Sequence, residues 1–249
     1  MADGVSTDYN RIADDYQHSS RLPWRNHLEC FTFFEVTGPL DGLHVLDLAC
    51  GEGFYSRMLK KRGAAHVTAV DLSEQMIHLA KAAELQSPLG IEYLVGDAKD
   101  IQLNRKYDII TAAYLLNYAR NEAELIALCA AAVRHLKPGG RFITVNNNPS
   151  FLPTNISFNK YGFGRIQDDF TAGGIITYQL LLPDGRHTDI INYHLSATTH
   201  DRCLTACGFK DIQYHPMQVS PEGKSTFPDG FWDDLLQARP VTIISCNKA

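Results

Sequence analysis

The stretch Val45-Leu46-Asp47-Leu48-Ala49-Cys50-Gly51-Glu52-Gly53-Phe54 constrains this chain more than any other. An apolar run that empties into a two-glycine turn reads as a buried strand leading into a helix. Gly51 and Gly53 let the backbone turn sharply and approach a ligand without an intervening side chain. Some way downstream, Ala65-His66-Val67-Thr68-Ala69-Val70-Asp71 reads as a second strand that ends on an acid. At that place a carboxylate can accept both hydroxyls of a ribose.

The alternation continues. Strands are expected over residues 43–48, 66–71, 91–95, 107–112 and 141–146, with helices over 54–61, 73–85 and the alanine-rich 122–136, after a helical segment spanning 9–36. Such an order predicts an α/β, doubly wound, mostly parallel sheet with right-handed crossovers, whose ligand sits at the carboxyl ends of the strands. Beyond residue 146 the alternation breaks. Residues 151–174 are rich in aromatics, glycine and turn formers and read as a loop or short-helix cover. Residues 175–182 and 187–196 flank Pro183-Asp184-Gly185-Arg186 and read as a β-hairpin. A helix over 199–207 is stopped by Gly208, and 212–219 and 241–245 are expected to complete a seven-stranded sheet. One domain over 1–249 is expected, with an N-terminal helical lid (1–40), a ligand-binding half (41–148), a cover (149–198) and a C-terminal helix with edge strands (199–249).

Four places together resemble the class I S-adenosylmethionine-dependent methyltransferases. They are Asp47-Leu48-Ala49-Cys50-Gly51-Glu52-Gly53; Asp71 with Leu72, Ser73 and Met76; Gly96-Asp97-Ala98; and Leu136-Lys137-Pro138-Gly139-Gly140 before a strand. Other readings of single pieces stand beside this one. Gly51 to Ser56 comes within one residue of a dinucleotide fingerprint, with Ser56 where Gly or Ala belongs, so a nicotinamide- or flavin-dependent oxidoreductase is the competing class. Ser73 and Met76 do not make a capping box, because the Glu or Gln is missing at that offset. The Leu136 to Gly140 turn reads as structural.

The resemblance implies S-adenosylmethionine as cofactor, S-adenosylhomocysteine as product and an antiparallel edge pair closing the sheet. Asp47, Ala49, Gly51 and Gly53 would form the turn against the cofactor, Asp71 would hold the ribose, Leu72 and Met76 would flank the adenine, and Asp97 with Ala98 would meet its amino group. Tyr9-Asn10-Arg11-Ile12-Ala13-Asp14-Asp15-Tyr16 is similar to a paired-tyrosine motif of small-molecule members, which would put Tyr16 near the methionine end. Trp24 and Arg25 offer an aromatic face and a planar cation able to grip a carboxylate, with simple anchoring of the helix as the other reading of Trp24. The backbone near Tyr114 would receive the methionine amino group, and Asn117 or Tyr118, with Tyr9 and Trp24, would face the methyl acceptor. Asp108 resembles a structural position. The stretch 9–25 further resembles toxoflavin-pathway N-methyltransferases.

Composition narrows the substrate. With 249 residues, 45% hydrophobic and 20% charged, the chain can bury a large core without disulfides or metals. The net charge of −5 and the absence of a basic run longer than Lys60-Lys61-Arg62 argue against nucleic acid. Neither a membrane span nor a signal peptide is expected, which favours the cytoplasm. Six scattered cysteines read as small apolar residues, and although Cys203 and Cys207 lie a helical turn apart beside His200, no metal is expected. His18, His194 and His200 are candidate bases, more economically read as surface or packing residues. Asp168-Asp169 reads as a solvated pair. Phe151, Phe158, Tyr161, Phe163 and Phe170 suit a flat or apolar ligand. The expected activity is methyl transfer to nitrogen or oxygen of a small planar metabolite, by proximity and orientation with no committed base. A protein methyltransferase or a cofactor-binding regulator is the alternative.

Overall fold

The computed structural model describes residues 7–19, 22–182 and 184–249. Ser20 and Arg21 of the expected helical segment, Pro183 of the expected hairpin turn and the first six residues of the lid lie outside them. Helix α1 (Tyr9–Ser19), a π-helical turn (Arg25–Cys30) and α2 (Phe31–Thr37) precede the alternating unit. That unit runs β1 (His44–Leu48), α3 (Phe54–Lys61), β2 (His66–Asp71), α4 (Glu74–Gln86), β3 (Glu92–Val95), β4 (Tyr107–Ala113), a short 3-10 turn (Leu116–Tyr118), α5 (Glu122–His135) and β5 (Leu136–Asn147).

The strands form because both faces of each are apolar, and period-2 alternation divides their side chains between two helical layers. Val45, Val67, Ile109 and Val145 pack with Phe33, Leu59 and Ile77 on one face. Leu46, Val70, Ile110 and Phe142 pack with Leu125, Cys129 and Leu204 on the other. After the cover come α6 (Ala197–Ala206), β9 (Phe209–Pro216), α7 (Pro221–Thr226), α8 (Asp233–Ala238) and β10 (Val241–Lys248). The seven-stranded order is β3-β2-β1-β4-β5-β10-β9, and β10 runs antiparallel to both its neighbours. The order reverses between β1 and β4, which opens a crevice at their carboxyl ends.

The cover differs from expectation. Residues 175–193 do form the hairpin, as β7 (Ile175–Leu181) and β8 (His187–Tyr193), but a third strand, β6 (Phe163–Asp168), pairs with β7 inside the segment expected to be loop. The sequence hides β6 because it alternates poorly, Ile166 being exposed, and because a bulge lies between Arg165 and Gln167. The short helices α7 and α8 also replace what reads as connection, although Ser220-Pro221 is a start signal: the Ser220 hydroxyl accepts from the Gly223 N–H at 3.0 Å and Pro221 opens the helix. Among the described residues no helix is long and apolar enough to cross a membrane.

Two polar ties fix the parts that surround the crevice. Beneath the glycine turn, buried Asp47 accepts hydrogen bonds from the hydroxyls of Ser56 at 2.5 Å and Thr111 at 2.8 Å, joining β1 to α3 and β4. Over the crevice, the Asn10 carbonyl accepts from the Ser73 hydroxyl at 2.8 Å and the Gln75 N–H at 3.2 Å. On its other side α1 holds the cover, with Asp15 paired to Arg186 at 3.1 Å and the segment before it holding β8 through the Thr7 hydroxyl, which accepts from the Ile191 N–H at 2.8 Å.

Replacing Asn10 by Ala should cost about 1 kcal/mol and speed amide exchange across α1 while β1 and β4 stay protected. Unchanged exchange would mean that apolar packing alone seats the helix. Burial pushes the Asp47 carboxyl up to about 6, against the pull of its hydrogen bonds from Ser56 and Thr111. A carboxyl raised by folding contributes stability that is complete below its unfolded value and is lost as pH climbs through the folded one. Urea unfolding of the parent should therefore weaken relative to Asp47→Asn by about 2–3 kcal/mol as pH rises from about 4 to about 7. A difference that stays flat over that range would refute the buried, raised carboxyl.

Candidate active site

The turn after β1 is a left-handed corner: Ala49, Gly51 and Gly53 have φ of 56°, 56° and 85°. The two glycines serve different ends. A Cβ on Gly51 would meet nothing within 4 Å, so its open side belongs to the crevice. A Cβ on Gly53 would fall 2.5 Å from the Tyr93 hydroxyl, so that glycine is required by packing of the turn against β3. Asp71 ends β2 beside them. One carboxylate oxygen accepts the Gly51 N–H at 2.8 Å and the other the Ser73 N–H at 2.8 Å. Burial raises this carboxyl while the backbone donors lower it. Each oxygen keeps a further lone pair.

The crevice is a cavity of about 410 Å³, within the roughly 300–1,000 Å³ of ligand pockets. Of the residues expected at the cofactor, Tyr16, Ala49, Gly51, Asp71, Leu72 and Met76 line it, as do Asp97, Ala98 and Tyr114. Asp97 is steadied by the Lys99 N–H at 2.9 Å and faces its ammonium at 3.4 Å. Arg25, Asp47 and Gly53 do not line this cavity. Asp47 lies beneath the turn, Gly53 against Tyr93, and Arg25 in a second, smaller cavity of about 50 Å³.

The smaller cavity adjoins the first through Tyr9, Tyr16, Tyr114 and Tyr118, which line both. Burial raises all four phenols, so each stands protonated at neutral pH. Tyr9 and Tyr118 are hydrogen bonded through their hydroxyls. Tyr114, a non-glycine residue held at φ 64°, has its N–H tied to the Val145 carbonyl at 2.7 Å. Trp24, Phe163 and Tyr178 add further rings, and Leu180, Ile190 and Val241 supply aliphatic wall.

Arg25 is caged. Its guanidinium lies 5.3 Å from the Tyr16 ring centroid and 5.6 Å from those of Trp24 and Tyr114, and it donates to the Tyr16 hydroxyl at 3.1 Å. Glu29, 3.9 Å away and fully buried, balances that charge and accepts hydrogen bonds from the Tyr55 hydroxyl at 2.7 Å and from the Tyr114 hydroxyl. Sequence reasoning missed Glu29. Its spacing of four residues from Arg25 was the available signal. Two donors in this cavity wall, Trp24 Nε1 and Arg25 Nε, are buried with no partner. Asn117 lines neither cavity but a third one behind Tyr178, together with His194 and His200, and His18 is exposed.

These residues fit S-adenosylmethionine: an open Gly51 backbone, an acid with spare lone pairs at the end of β2, and a second acid at Asp97 around a cavity of suitable volume. Comparison with known proteins agrees. Residues 45–140 match the family described as Methyltransferase domain. The chain is 34% identical over 195 residues to the ubiquinone biosynthesis O-methyltransferase of Coxiella burnetii (strain Dugway 5J108-111), covering 75% of this chain and 74% of that protein. It is 30% identical over 191 residues to the protein of the same name from Bordetella avium (strain 197N), covering 74% and 70%. In fold it is similar to the CcbJ methyltransferase of Streptomyces caelestis, with a TM-score of 0.68 at 18% identity over 97% of this chain and 96% of that one. A putative S-adenosylmethionine-dependent methyltransferase from Listeria monocytogenes gives a TM-score of 0.65 at 23% identity over 89% and 96%. The chain belongs to the class I S-adenosylmethionine-dependent methyltransferases.

Proposed function

We propose that this enzyme methylates an oxygen or nitrogen of a small planar molecule that lies across the boundary of the two cavities and reaches into the smaller one, by aligning the reactants and excluding water. The observation that carries this reading is the ring of four tyrosines shared by the two cavities, since it is where a cofactor in one and an acceptor in the other would meet. Bound S-adenosylmethionine supplies a methyl carbon made electrophilic by a positively charged sulfur. Asp71 would hold the ribose hydroxyls, Asp97 the adenine amino group, and Met76 and Leu72 the faces of the base. Tyr9, Tyr16, Tyr114 and Tyr118 would orient the acceptor and keep water out, which is where most of the rate is gained when the leaving group departs readily.

Among the described residues no histidine or carboxylate lines the smaller cavity. Instead it presents Arg25 and the unpartnered donors of Trp24 and Arg25, a set that favours an electron-rich oxygen and stabilises it once ionised. The O-methyltransferases among the relatives support an oxygen acceptor. The likeness to toxoflavin-pathway N-methyltransferases rests on residues 9–25 alone, and the relatives carry it no further. We propose the cytoplasm as location, on the composition and on free cysteines at all six positions.

Calorimetry should show S-adenosylhomocysteine binding, and labelled S-adenosylmethionine should transfer its methyl group to members of a panel of phenols and anilines, read by mass spectrometry. Cofactor binding without transfer to any planar acceptor, or transfer to peptides alone, would overturn the reading. The glycines separate binding from packing. Gly51→Ala should weaken cofactor binding about tenfold or more with a stability loss of only about 1 kcal/mol, whereas Gly53→Ala should lose about 2–3 kcal/mol of stability to the clash with Tyr93. Equal melting temperatures for the two variants would contradict that division.

A further inference from the structure

The third cavity, about 20 Å³, lies beyond the smaller one and shares Tyr178 and Asn147 with it. That is room for roughly one or two oxygen-sized atoms. Three buried polar atoms of residues lining it have no partner: Arg165 Nη1, Asn117 Nδ2 and the Tyr178 hydroxyl. All three side chains are more than nine-tenths buried, with exposures of 7%, 5% and 8%. Leaving one such group unpaired is costly, and three at one place describe a site that expects a ligand.

Arg165 sets the sign of that ligand. One edge of its guanidinium is taken by Asp168, with Nε at 2.8 Å and Nη2 at 2.7 Å from the same oxygen. Its rings are Phe151 at 4.1 Å, Tyr178 at 5.1 Å and Phe170 at 5.5 Å from the guanidinium carbon. Asp168 occupies the Nε–Nη2 edge and is 31% exposed, which leaves Nη1 as the edge of the sequestered guanidinium without a partner. What Arg165 offers the cavity is therefore a free donor edge of a cation. Burial lowers both His194 and His200, which line it, so they add no charge at neutral pH. The three unpartnered atoms can all donate, which suits a carboxylate, a group that only accepts.

Building on the acceptor reading above, we propose that Arg165, Asn117 and Tyr178 form an anchor for a carboxylate of the methyl acceptor, reached past Tyr178 from the smaller cavity. The substrate class is then a planar molecule bearing a carboxylate at the end remote from the methylated atom.

The probes are benzoate against benzamide and 3-phenylpropanoate against 3-phenylpropanamide, titrated calorimetrically with and without S-adenosylhomocysteine. At least one acid should bind the parent about tenfold or more tighter than its amide. That preference should shrink to about twofold or less in Arg165→Met and by about threefold to tenfold in Tyr178→Phe and Asn117→Leu, with S-adenosylhomocysteine affinity unchanged. Should Arg165→Met fail to fold, the Tyr178→Phe and Asn117→Leu variants decide. Equal binding of both acids and their amides by the parent, or a preference that survives in the variants, would overturn the anchor. So would inorganic phosphate binding alone with no preference among the aromatic probes, which marks a site for a free anion. A parent that prefers the acids but binds no S-adenosylhomocysteine would count against the acceptor reading and not against the anchor's chemistry.

Discussion

The carboxylate of Asp71 holds the turns after β1 and β2 in register along one side of the crevice. One oxygen fixes the Gly51 N–H after β1 and the other the Ser73 N–H before α4, so the turns that follow β1 and β2 at the larger cavity hang on a single side chain. From Ser73 the tie continues outward. Its hydroxyl oxygen accepts the Met76 N–H at 3.1 Å and caps α4, while its proton goes to Asn10 on α1. Helix α1 in turn brings Tyr9 and Tyr16 to the boundary between the cavities. A charge on β2 is thus connected, through Ser73 and helix α1, to the tyrosines between the two cavities.

Arg25 and Glu29 show that the boundary was not built for stability. Removing two charges from water costs several kcal/mol per ion even after relaxation. A separation of 3.9 Å returns only part of that. The remainder is met by the surrounding hydroxyls of Tyr16, Tyr55 and Tyr114 and by three ring faces over the guanidinium. An apolar cluster would have filled the same space more cheaply. What the ion pair adds is orientation: Tyr114 and Tyr55 are both locked onto one carboxylate, and a positive charge lines the smaller cavity without leaving the protein interior.

The central sheet was legible in sequence because strands buried on both faces read as apolar runs, and the turn at Gly51 and Gly53 because only glycine serves there. The purposes within the turn were not legible. Asp47 and Gly53 sit in the motif beside Gly51, yet their neighbours are Ser56, Thr111 and Tyr93, which come from three separate elements. Spacing along the chain carries no record of such contacts. The same holds for β6, whose one paired edge and bulge leave no alternation, and for Arg165 and Asn117, which lie 48 positions apart and meet only because the cover folds back onto the end of β4. Glu29 was obscured in another way, being a polar residue in a helical stretch where solvent exposure is the usual expectation.

Backbone strain marks the same crevice from both sides. Ala49 follows β1 and Tyr114 follows β4, and both are non-glycine residues held in the left-handed region that L side chains avoid. They are the strands between which the sheet order reverses, so the two strained residues stand at opposite lips of the opening that the topology creates. A strained residue persists only where its surroundings over-determine it, and here they do: the Tyr114 N–H is fixed to Val145 and its hydroxyl to Glu29. In this arrangement Tyr114 lines both cavities. A residue in ordinary extended geometry would continue β4 and could not line both sides, which ties the strain to the meeting of two cavities at one strand terminus.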